Sequence, residues 1–251
     1  MFSILKEESW YNMFKIIIVC LCVVCISFTI IFYQKKRKKK LLANPTYLKL
    51  IKSALNFLKE LEKQNDMYFT HSMKEKIRNN YFDDITLLES NPIFLKIDKN
   101  GYLSKFQKTY LNLDQYVKDW NEHFVKQELE SNKDFFNDID NKSLDPQQRR
   151  AVVVDEDNNL IIAGAGSGKT LTITGKVKYL VEKKNIKADE ILLISFTKKA
   201  AEEMQQRISQ KLNIGIEAMT FHKLGLGIIA KKYGHRPNVF TNLERIIDNY
   251  F

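Results

Sequence analysis

Cysteine and glycine are both scarce in this sequence, and their positions are informative. Its three cysteines, Cys20, Cys22 and Cys25, all lie within one apolar segment. The rest of the sequence therefore has neither a disulfide framework nor a Cys-based metal site, which is typical of a cytosolic protein. Gly101 is the only glycine before residue 160, whereas the other eight of the nine glycines follow it. This shift predicts two differently built regions that join near residue 160.

Net charge is low outside one short run. The formal charge is +10, and six consecutive basic residues at 35–40 account for six of those charges. Overall basicity is therefore weak evidence for a nucleic-acid partner. Hydrophobic residues make up 44% of the chain and aromatic residues 12%, which predicts packed cores rather than disorder.

Residues 16–33 contain no charge, proline or glycine. At ~1.5 Å per residue they approach the ~30 Å thickness of a bilayer core. The basic run that follows is typical of a cytoplasmic boundary. The pattern predicts a transmembrane anchor over residues 1–34, a basic juxtamembrane run over 35–43, and a single-pass protein of the plasma (inner) membrane whose soluble part is cytoplasmic. A cleaved signal peptide or a buried core helix would be alternatives, but cleavage-site residues are lacking and the basic run argues against a core helix.

Residues 44–141 predict a mainly helical accessory region. Asn44 and Pro45 form a helix start, and apolar residues then recur at intervals of three and four: Leu48, Ile51, Leu55 and Leu58. A second set, Tyr116, Trp120 and Phe124, has the same spacing, which favours core packing over a docking surface. Asn100 and Gly101 indicate a turn between the two patterns.

Residues 158–172 read NNLIIAGAGSGKTLT and indicate a phosphate-binding loop. The apolar run at 160–163 predicts a buried strand, and the helical spacing of Ile173, Val177, Leu180 and Val181 predicts a helix after the loop. A strand, a glycine-rich turn and a helix form the context that this kind of loop requires.

The loop residues match the chemistry of a triphosphate. Gly164, Gly166 and Gly168 allow several backbone N–H groups to converge on one anion at a helix N-terminus. Lys169 can neutralise the outer phosphates, and the hydroxyl of Thr170 can bind Mg²⁺. The predicted ATP and Mg²⁺ site comprises Gln148, Ala163, Gly164, Ala165, Gly166, Ser167, Gly168, Lys169 and Thr170, with Lys169 and Thr170 as the catalytic residues.

Gln148 has two interpretations. It lies in SLDPQQRRAV (residues 143–152), where Asp145 can cap a helix and Pro146 can occupy its first position. Gln148 stands three residues after Asp145, so it can complete a capping box. A nucleotide contact is the alternative, and the two roles are compatible.

Two further apolar stretches predict strands that end near polar residues. Residues 191–196 lead into Thr197 and a helix whose inward positions are Ala201, Met204, Ile208 and Leu212. Another stretch leads to Thr220, Phe221 and His222. The carboxyl ends of parallel strands share one edge of a sheet, where ligands bind.

Four segments together resemble a known family. LDPQQRRAV, AGAGSGKT, LLISFTKKAAEEM and AMTFHKLGLGI resemble, in order and spacing, the first motifs of superfamily 1 DNA helicases of the UvrD/Rep type, and of helicase IV-like members in particular. The resemblance covers roughly residues 120–251. It implies an α/β fold with an incomplete P-loop (RecA-like) parallel sheet over residues 142–251, preceded by the helical region and the transmembrane helix.

The resemblance also implies roles for individual residues. In that family the glutamine aligned with Gln148 contacts adenine. The single-stranded DNA contacts that it implies are Phe196, Thr197, Lys198, Thr220, Phe221 and His222, although the family often has Asn where Lys198 stands. From the residues alone, Phe196 and Phe221 could equally be core residues, and His222 could serve only a helix start.

ATP turnover needs a carboxylate pair and an arginine near the γ-phosphate, and neither is evident in the sequence. Asp155 and Glu156 stand only a few residues before the strand predicted to lead into the phosphate loop, whereas the carboxylate pair belongs on a later strand. These two residues therefore predict a turn. Asp248 has no acidic neighbour, and it follows a helix-start pattern at residues 241–244. In UvrD/Rep-like proteins these groups come later in the chain. We therefore expect Mg-ATP binding without useful hydrolysis or unwinding by this chain alone.

Two functions follow as expectations. The first is the ATP-binding N-terminal part of a membrane-tethered, ATP-dependent DNA helicase that translocates on single-stranded DNA, either truncated or completed by another polypeptide that supplies the remaining motifs. The second is a membrane-anchored nucleotide- or DNA-binding module without turnover. Another kind of phosphate-loop ATPase would leave FTKKAAEEM and TFHKLGLGI unexplained.

Overall fold

Helices account for most of this computed structural model, which describes residues 2–63 and 66–235, without the side chains of residues 2–20, 22 and 211. The chain divides into two compact units, residues 1–121 and 122–251. The helices are α1 Phe2–Leu42, α2 Pro45–Glu62, α3 His71–Glu89, α4 Ile93–Ile97, α5 Tyr102–Leu111, α6 Leu113–Ser131, α7 Lys133–Asn137, α8 Pro146–Val153, α9 Lys169–Glu182, α10 Lys198–Leu212 and α11 Phe221–Tyr233. The strands are β1 Leu192–Ser195 and β2 Glu217–Thr220, and a short 3-10 helix covers Ala188–Glu190.

The first unit is a helical core. The predicted start of α2 is confirmed, because the Asn44 side chain accepts a hydrogen bond from the backbone N–H of Thr46 at 2.8 Å and Pro45 opens the helix. The buried face of α2 is displaced by about one residue from the predicted one: it comprises Tyr47, Leu50, Ala54, Phe57 and Leu61. Leu48 is 54% exposed. Rings from other helices, such as Phe106 at 4.9 Å between centroids from Phe57, select this face.

Two other predictions in this region are confirmed. Tyr116 and Trp120 pack partly buried against the helical core, and Phe124 is buried. Gly101 has a φ of +70° and precedes α5 directly, so the turn lies where Asn100 and Gly101 predict it. The aromatic spacing therefore marks core packing.

The predicted transmembrane helix is corrected. Residues 16–33 belong to α1, and the side chains of residues 16–20 and 22 lie outside the described part. Among the described residues, no helix combines the length and the apolar character needed to cross a membrane. The predicted anchor, membrane partner and plasma-membrane location are therefore not upheld.

The second unit contains the sheet, which is smaller than predicted. In the described ranges the strands β1 and β2 pair in parallel, with Leu192 opposite Glu217 and Ser195 opposite Thr220. Behind them lies a core of Val177, Ile208, Ile214 and Ile216. The inward positions predicted for α10 are confirmed, since Ala201 and Ile208 are buried and Met204 and Leu212 pack against this core.

The predicted α/β fold is therefore corrected to a mostly helical one with a two-stranded sheet. Residues 160–163, the predicted first strand, form neither helix nor strand. Leu160 is 86% exposed and Ile162 is 89% exposed. A strand requires a hydrogen-bonded neighbour, and in the described residues the sheet consists of β1 and β2 without this run. The predictions for Thr241, Glu244 and Asp248 lie outside the described residues.

Candidate functional site

The loop between residue 163 and α9 has the backbone of a phosphate cradle. Gly166 and Gly168 adopt left-handed φ values of +75° and +83°, which glycine alone adopts readily. Gly168 is the residue before the first turn of α9, so the N-terminus of the helix and its unpaired N–H groups face the loop. The turn at the glycines and the helix α9 therefore lie where the sequence predicts them, although residues 160–163 before them are not a strand.

Lys169 folds back over this loop. Its Nζ donates to the carbonyl oxygens of Ala163 and Gly164, at 2.8 Å each. The Ser167 hydroxyl also donates to the Gly164 carbonyl at 2.8 Å. The ammonium group is thereby held at the rim of the loop, where it can exchange carbonyl partners for phosphate oxygens. Thr170, the predicted Mg²⁺ ligand, is exposed beside it in the first turn of α9.

Gln148 performs the capping role that the sequence predicts. The Asp145 side chain accepts a hydrogen bond from the Gln148 backbone N–H at 2.9 Å, and the Gln148 Oε1 accepts one from the Asp145 N–H at 3.0 Å. The Gln148 Nε2 also donates to the backbone carbonyl of Ser167 at 3.1 Å. This last contact, which the sequence did not predict, ties α8 to the phosphate loop.

A cavity of about 380 Å³ lies at this junction. Its lining includes Gln148, Ser167 and Lys169 together with the apolar side chains of Ala151, Ile161 and Ile162. A lining that combines cationic and backbone donors with apolar surface suits a ligand that has both phosphates and an aromatic base. Of the predicted nucleotide residues, the cavity brings together Gln148, Ala163, Gly164, Ser167 and Lys169.

Close packing of α8 on α9 positions Gln148 beside the loop. Gly175 lies mid-helix in α9, where a Cβ atom would come within 3.0 Å of the Leu144 Cδ1 and 3.4 Å of the Val152 Cγ2. Lys176 adds a hydrogen bond to the Val154 carbonyl at 2.9 Å. Gly175 is an isolated glycine inside a helical pattern, which is a signal in the sequence for this contact, although the contact was not predicted.

The far side of α9 is fixed by a buried tyrosine. Tyr179 is fully buried, and its hydroxyl donates to a carboxylate oxygen of Glu128. Burial, followed by the hydrogen bond to Glu128, raises the pKa of Tyr179 above its usual range. Lys184 lies 3.5 Å from the same carboxylate. The C-terminal part of α6 is thus attached to the helix that follows the phosphate loop.

The predicted DNA residues meet at one edge of the sheet. Ser195 pairs with Thr220, so the carboxyl ends of β1 and β2 lie side by side. Phe196 is 95% exposed and Phe221 is 72% exposed, which excludes the core alternative for both rings. His222 and Thr220 line a groove of about 720 Å³.

Both threonines at this edge are helix caps. The Thr197 hydroxyl accepts from the Ala200 N–H, and the Thr220 hydroxyl accepts from the Lys223 N–H, each at 3.2 Å. Because a hydroxyl can donate while it accepts, each retains a proton for an incoming phosphate. Lys198, also predicted, is exposed and lies 3.7 Å from Glu202.

Comparisons with known proteins match the part of the chain that carries this site. Residues 144–248 match the family model of the UvrD/REP helicase N-terminal domain. The chain is 41% identical over 110 residues to DNA helicase IV of Escherichia coli K12. This alignment covers 43% of this chain and 16% of that protein. It is 43% identical over 94 residues to ATP-dependent DNA helicase Rep of the same organism, covering 36% of this chain and 14% of that protein. The alignments therefore span less than a fifth of the relatives' length.

Proposed function

We propose that this chain, whose residues 144–248 are a UvrD/Rep-type helicase segment, supplies the ATP-binding N-terminal part of an ATP-dependent DNA helicase that translocates on single-stranded DNA. The observation that carries the proposal is the geometry of the loop. Gly166 and Gly168 bend the backbone at the start of α9, and Lys169 lies over the resulting concavity.

The nucleotide would bind along the cavity at the loop. Its phosphates would meet the N-terminus of α9 and the ammonium group of Lys169, and Mg²⁺ would bind the hydroxyl of Thr170. Its base would lie against the apolar lining near Ala151, where Gln148 can form hydrogen bonds with adenine. Gln148 thus combines capping with base recognition.

Single-stranded DNA would lie along the carboxyl edge of the sheet. The hydroxyls of Thr197 and Thr220 would donate to backbone phosphates, with Lys198 and His222 as further polar contacts. The exposed rings of Phe196 and Phe221 would stack on bases. The high exposure of both rings supports this assignment, because a ring must be accessible to solvent before a base can stack on it.

Turnover would depend on groups that are not evident in this sequence, since it offers no evident carboxylate pair or arginine finger for the γ-phosphate. We propose that these groups and the remaining helicase motifs come either from a further part of the same protein or from another polypeptide. A nucleotide- or DNA-binding module that works without turnover is the second candidate.

Nucleotide binding is tested by titrating a fluorescent ATP analogue with Mg²⁺ into the full chain and into Lys169→Ala. We expect the dissociation constant to rise by at least about tenfold, because charge-assisted hydrogen bonds to phosphate are lost. Lys183→Ala is the matched control, since it removes the same charge beyond the other end of α9. Equal affinity of the Lys169 variant and the wild type would exclude the loop as the binding site.

The two roles of Gln148 are separated by Gln148→Glu. Glutamate at the third helical position also completes a capping box, so the stability of α8 should be retained. A glutamate carboxylate has no N–H to donate to adenine, and we expect ATP affinity to fall by about tenfold. Unchanged ATP affinity would show that Gln148 only caps the helix.

A further inference from the structure

Basic and aromatic side chains share one face of α1 near its C-terminus. We call this set the basic stripe: Tyr33, Lys36, Arg37 and Lys40. Their spacing of i, i+3, i+4 and i+7 places them on one side of an α-helix. Together with Lys39 and Ala43 they line a groove of about 610 Å³. Lys35 and Lys38 belong to the same basic run but point to the other side of the helix and are not among the lining residues.

The stripe is exposed and has no anionic partner within the described chain. All four of its side chains are exposed, that of Tyr33 to 70%. Ion pairs in the described part of the first unit begin at Lys49, which lies 2.9 Å from Asp84, and none of them involves the stripe. Like charges at these helical spacings destabilise a helix. An anion that bound the stripe would relieve this repulsion.

The helical core of the first unit holds this end of α1 in place. Leu41 directly follows the stripe and packs against that core. Asn44 and Pro45 then begin α2. The stripe is therefore presented by an anchored helix, which reduces the entropy that a ligand must overcome to order it.

This combination of side chains matches single-stranded nucleic acid. Lysine and arginine neutralise backbone phosphates, and the release of counterions drives the binding. An exposed aromatic ring beside them offers a surface on which an unpaired base can stack. A duplex keeps its bases stacked inside, so the ring favours a single strand.

We propose that the basic stripe is a second binding site for single-stranded DNA, at which the three cations contact phosphates and Tyr33 stacks on a base. The site lies outside residues 144–248, which match the helicase family model. It goes beyond the proposed function, and the choice of DNA as the ligand rests on that function. A strand long enough to reach both sites is bound more tightly, because its second contact is intramolecular.

Two double variants distinguish the stripe from general attraction to positive charge. Lys36→Gln with Lys40→Gln removes two charges from the stripe. Lys35→Gln with Lys38→Gln, the matched control, removes the same charge from the other side of the helix. Glutamine is a good helix former, so both variants should retain α1, which thermal unfolding verifies.

The measurement is the fluorescence anisotropy of a labelled oligothymidine titrated with the full chain at several salt concentrations. We expect the stripe variant to weaken binding at low salt by about fivefold or more, and the control by less than about twofold. The slope of log affinity against log salt should fall in magnitude by ~1.4 in the stripe variant, since each of two lost phosphate contacts contributes ~0.7.

Tyr33→Leu tests the stacking contact, and Tyr33→Phe should restore it. We expect leucine to lower DNA affinity by about fivefold, whereas phenylalanine retains it because the ring is kept. An anionic lipid surface would accept leucine as readily as an aromatic ring. Sedimentation with vesicles of phosphatidylcholine and phosphatidylserine measures that alternative. Stripe variants that lose vesicle binding and keep full DNA affinity would overturn the proposal.

Equal DNA affinity of the stripe variant and the control variant would also overturn it, whether both bind normally or both bind weakly. Failure of the proposed function would look different, because that function places DNA at the edge of the sheet. In that case Thr197→Asp would leave DNA affinity unchanged while the stripe variant weakened it. Weaker binding in Thr197→Asp alone would exclude the stripe and keep the proposed function.

Discussion

At the scale of single residues, the candidate functional atoms are also structural atoms. Gln148 closes a capping box, and Thr197 and Thr220 cap α10 and α11. Substitution by alanine would therefore change helix stability and ligand binding together, because the loss of a cap typically costs ~1 kcal/mol. Informative variants keep the cap and change only the group offered to the ligand.

Thr197 can be tested in this way against single-stranded DNA. Thr197→Ser keeps both the cap and the donor, and we expect its affinity to stay within about threefold of the wild type. Thr197→Asp is also a good cap, but it cannot donate to a phosphate and adds a negative charge. We expect it to weaken binding by at least about tenfold at low salt while stability stays near the wild-type value. Fluorescence anisotropy and thermal unfolding measure the two properties, and equal DNA affinity of the three proteins would exclude a phosphate contact at Thr197.

Gly168 offers a second test at this scale. Gly168→Ala places a methyl group 2.5 Å from the Gln148 Nε2 at a φ of +83°, and we expect it to destabilise the fold by ~1–3 kcal/mol and to weaken ATP binding. Gly164→Ala is the control for stability, because its Cβ meets nothing within 4 Å. Chemical denaturation of both variants is the measurement, and similar unfolding free energies would contradict the close packing of Gln148 on the loop.

At the scale of elements, the sequence predicted helices well and their exact faces less well. The start of α2 followed from Asn44 and Pro45, which act locally. Its buried face did not follow from the leucine spacing, because Tyr47 and Phe57 meet aromatic rings of other helices: Phe94 in the first case and Tyr81, Phe106 and Tyr110 in the second. Local signals set where a helix begins, and packing partners decide how it is rotated.

The attachment of α9 to α6 includes a hydrogen bond from the buried Tyr179 that can be removed cleanly. Tyr179→Phe leaves the ring and removes the donor to Glu128. We expect a loss of ~1 kcal/mol in the free energy of unfolding, because the partly buried Glu128 carboxylate loses one of its hydrogen-bond donors. Tyr233→Phe is the control, since Tyr233 is 64% exposed. Equal stability of the two variants would show that the hydrogen bond contributes nothing.

The helical unit should become less stable in alkali. Burial raises the pKa of Tyr81, with a further contribution from its hydrogen bond to Glu60, and burial also raises the pKa of Tyr47 and Tyr110. In the unfolded chain these phenols ionise near pH ~10. Their stabilising contribution is complete below that pH and falls as the pH rises above it, by at most about 1.4 kcal/mol per pH unit for each group.

The measurement is the free energy of unfolding between about pH 8 and 11, a range that brackets the ionisation of an unfolded tyrosine near pH ~10. Tyr81→Phe should reduce the steepness of the decline, because one ionisable group has been removed. Tyr102→Phe is the control, since Tyr102 is only partly buried at the edge of the same core. A decline that is identical in all three proteins would assign the alkaline loss to other groups.

At the scale of the whole molecule, each unit has its own core, and the second carries the candidate site. Among the described residues its sheet has two strands, and the apolar residues at 160–162 and at Leu192 and Ile194 are exposed. A parallel sheet normally has both faces covered. The described part of this unit therefore presents apolar surface that such a sheet would normally bury.

Hydrolysis is the property that tests the molecule as a unit. We expect the full chain to release phosphate from Mg-ATP no faster than Lys169→Ala, with or without single-stranded DNA, because the groups that activate water and stabilise the γ-phosphate are not evident in its sequence. Release of radiolabelled phosphate over several hours is the measurement. DNA-stimulated release that disappears in Lys169→Ala would show that this chain already carries the groups that hydrolysis needs.

The sequence by itself determined the features that depend on neighbouring residues: the cap at Asp145, the left-handed glycines at 166 and 168, the threonine caps, and the order of motifs that marks the UvrD/Rep resemblance. Tertiary structure alone decided that residues 160–163 remain outside the sheet, that Phe196 and Phe221 face solvent, and that Ser167 holds Gln148. The reason is physical. Caps and turns are set by hydrogen bonds within a few residues, whereas strand pairing, burial and the amide contact each need a partner distant in the chain.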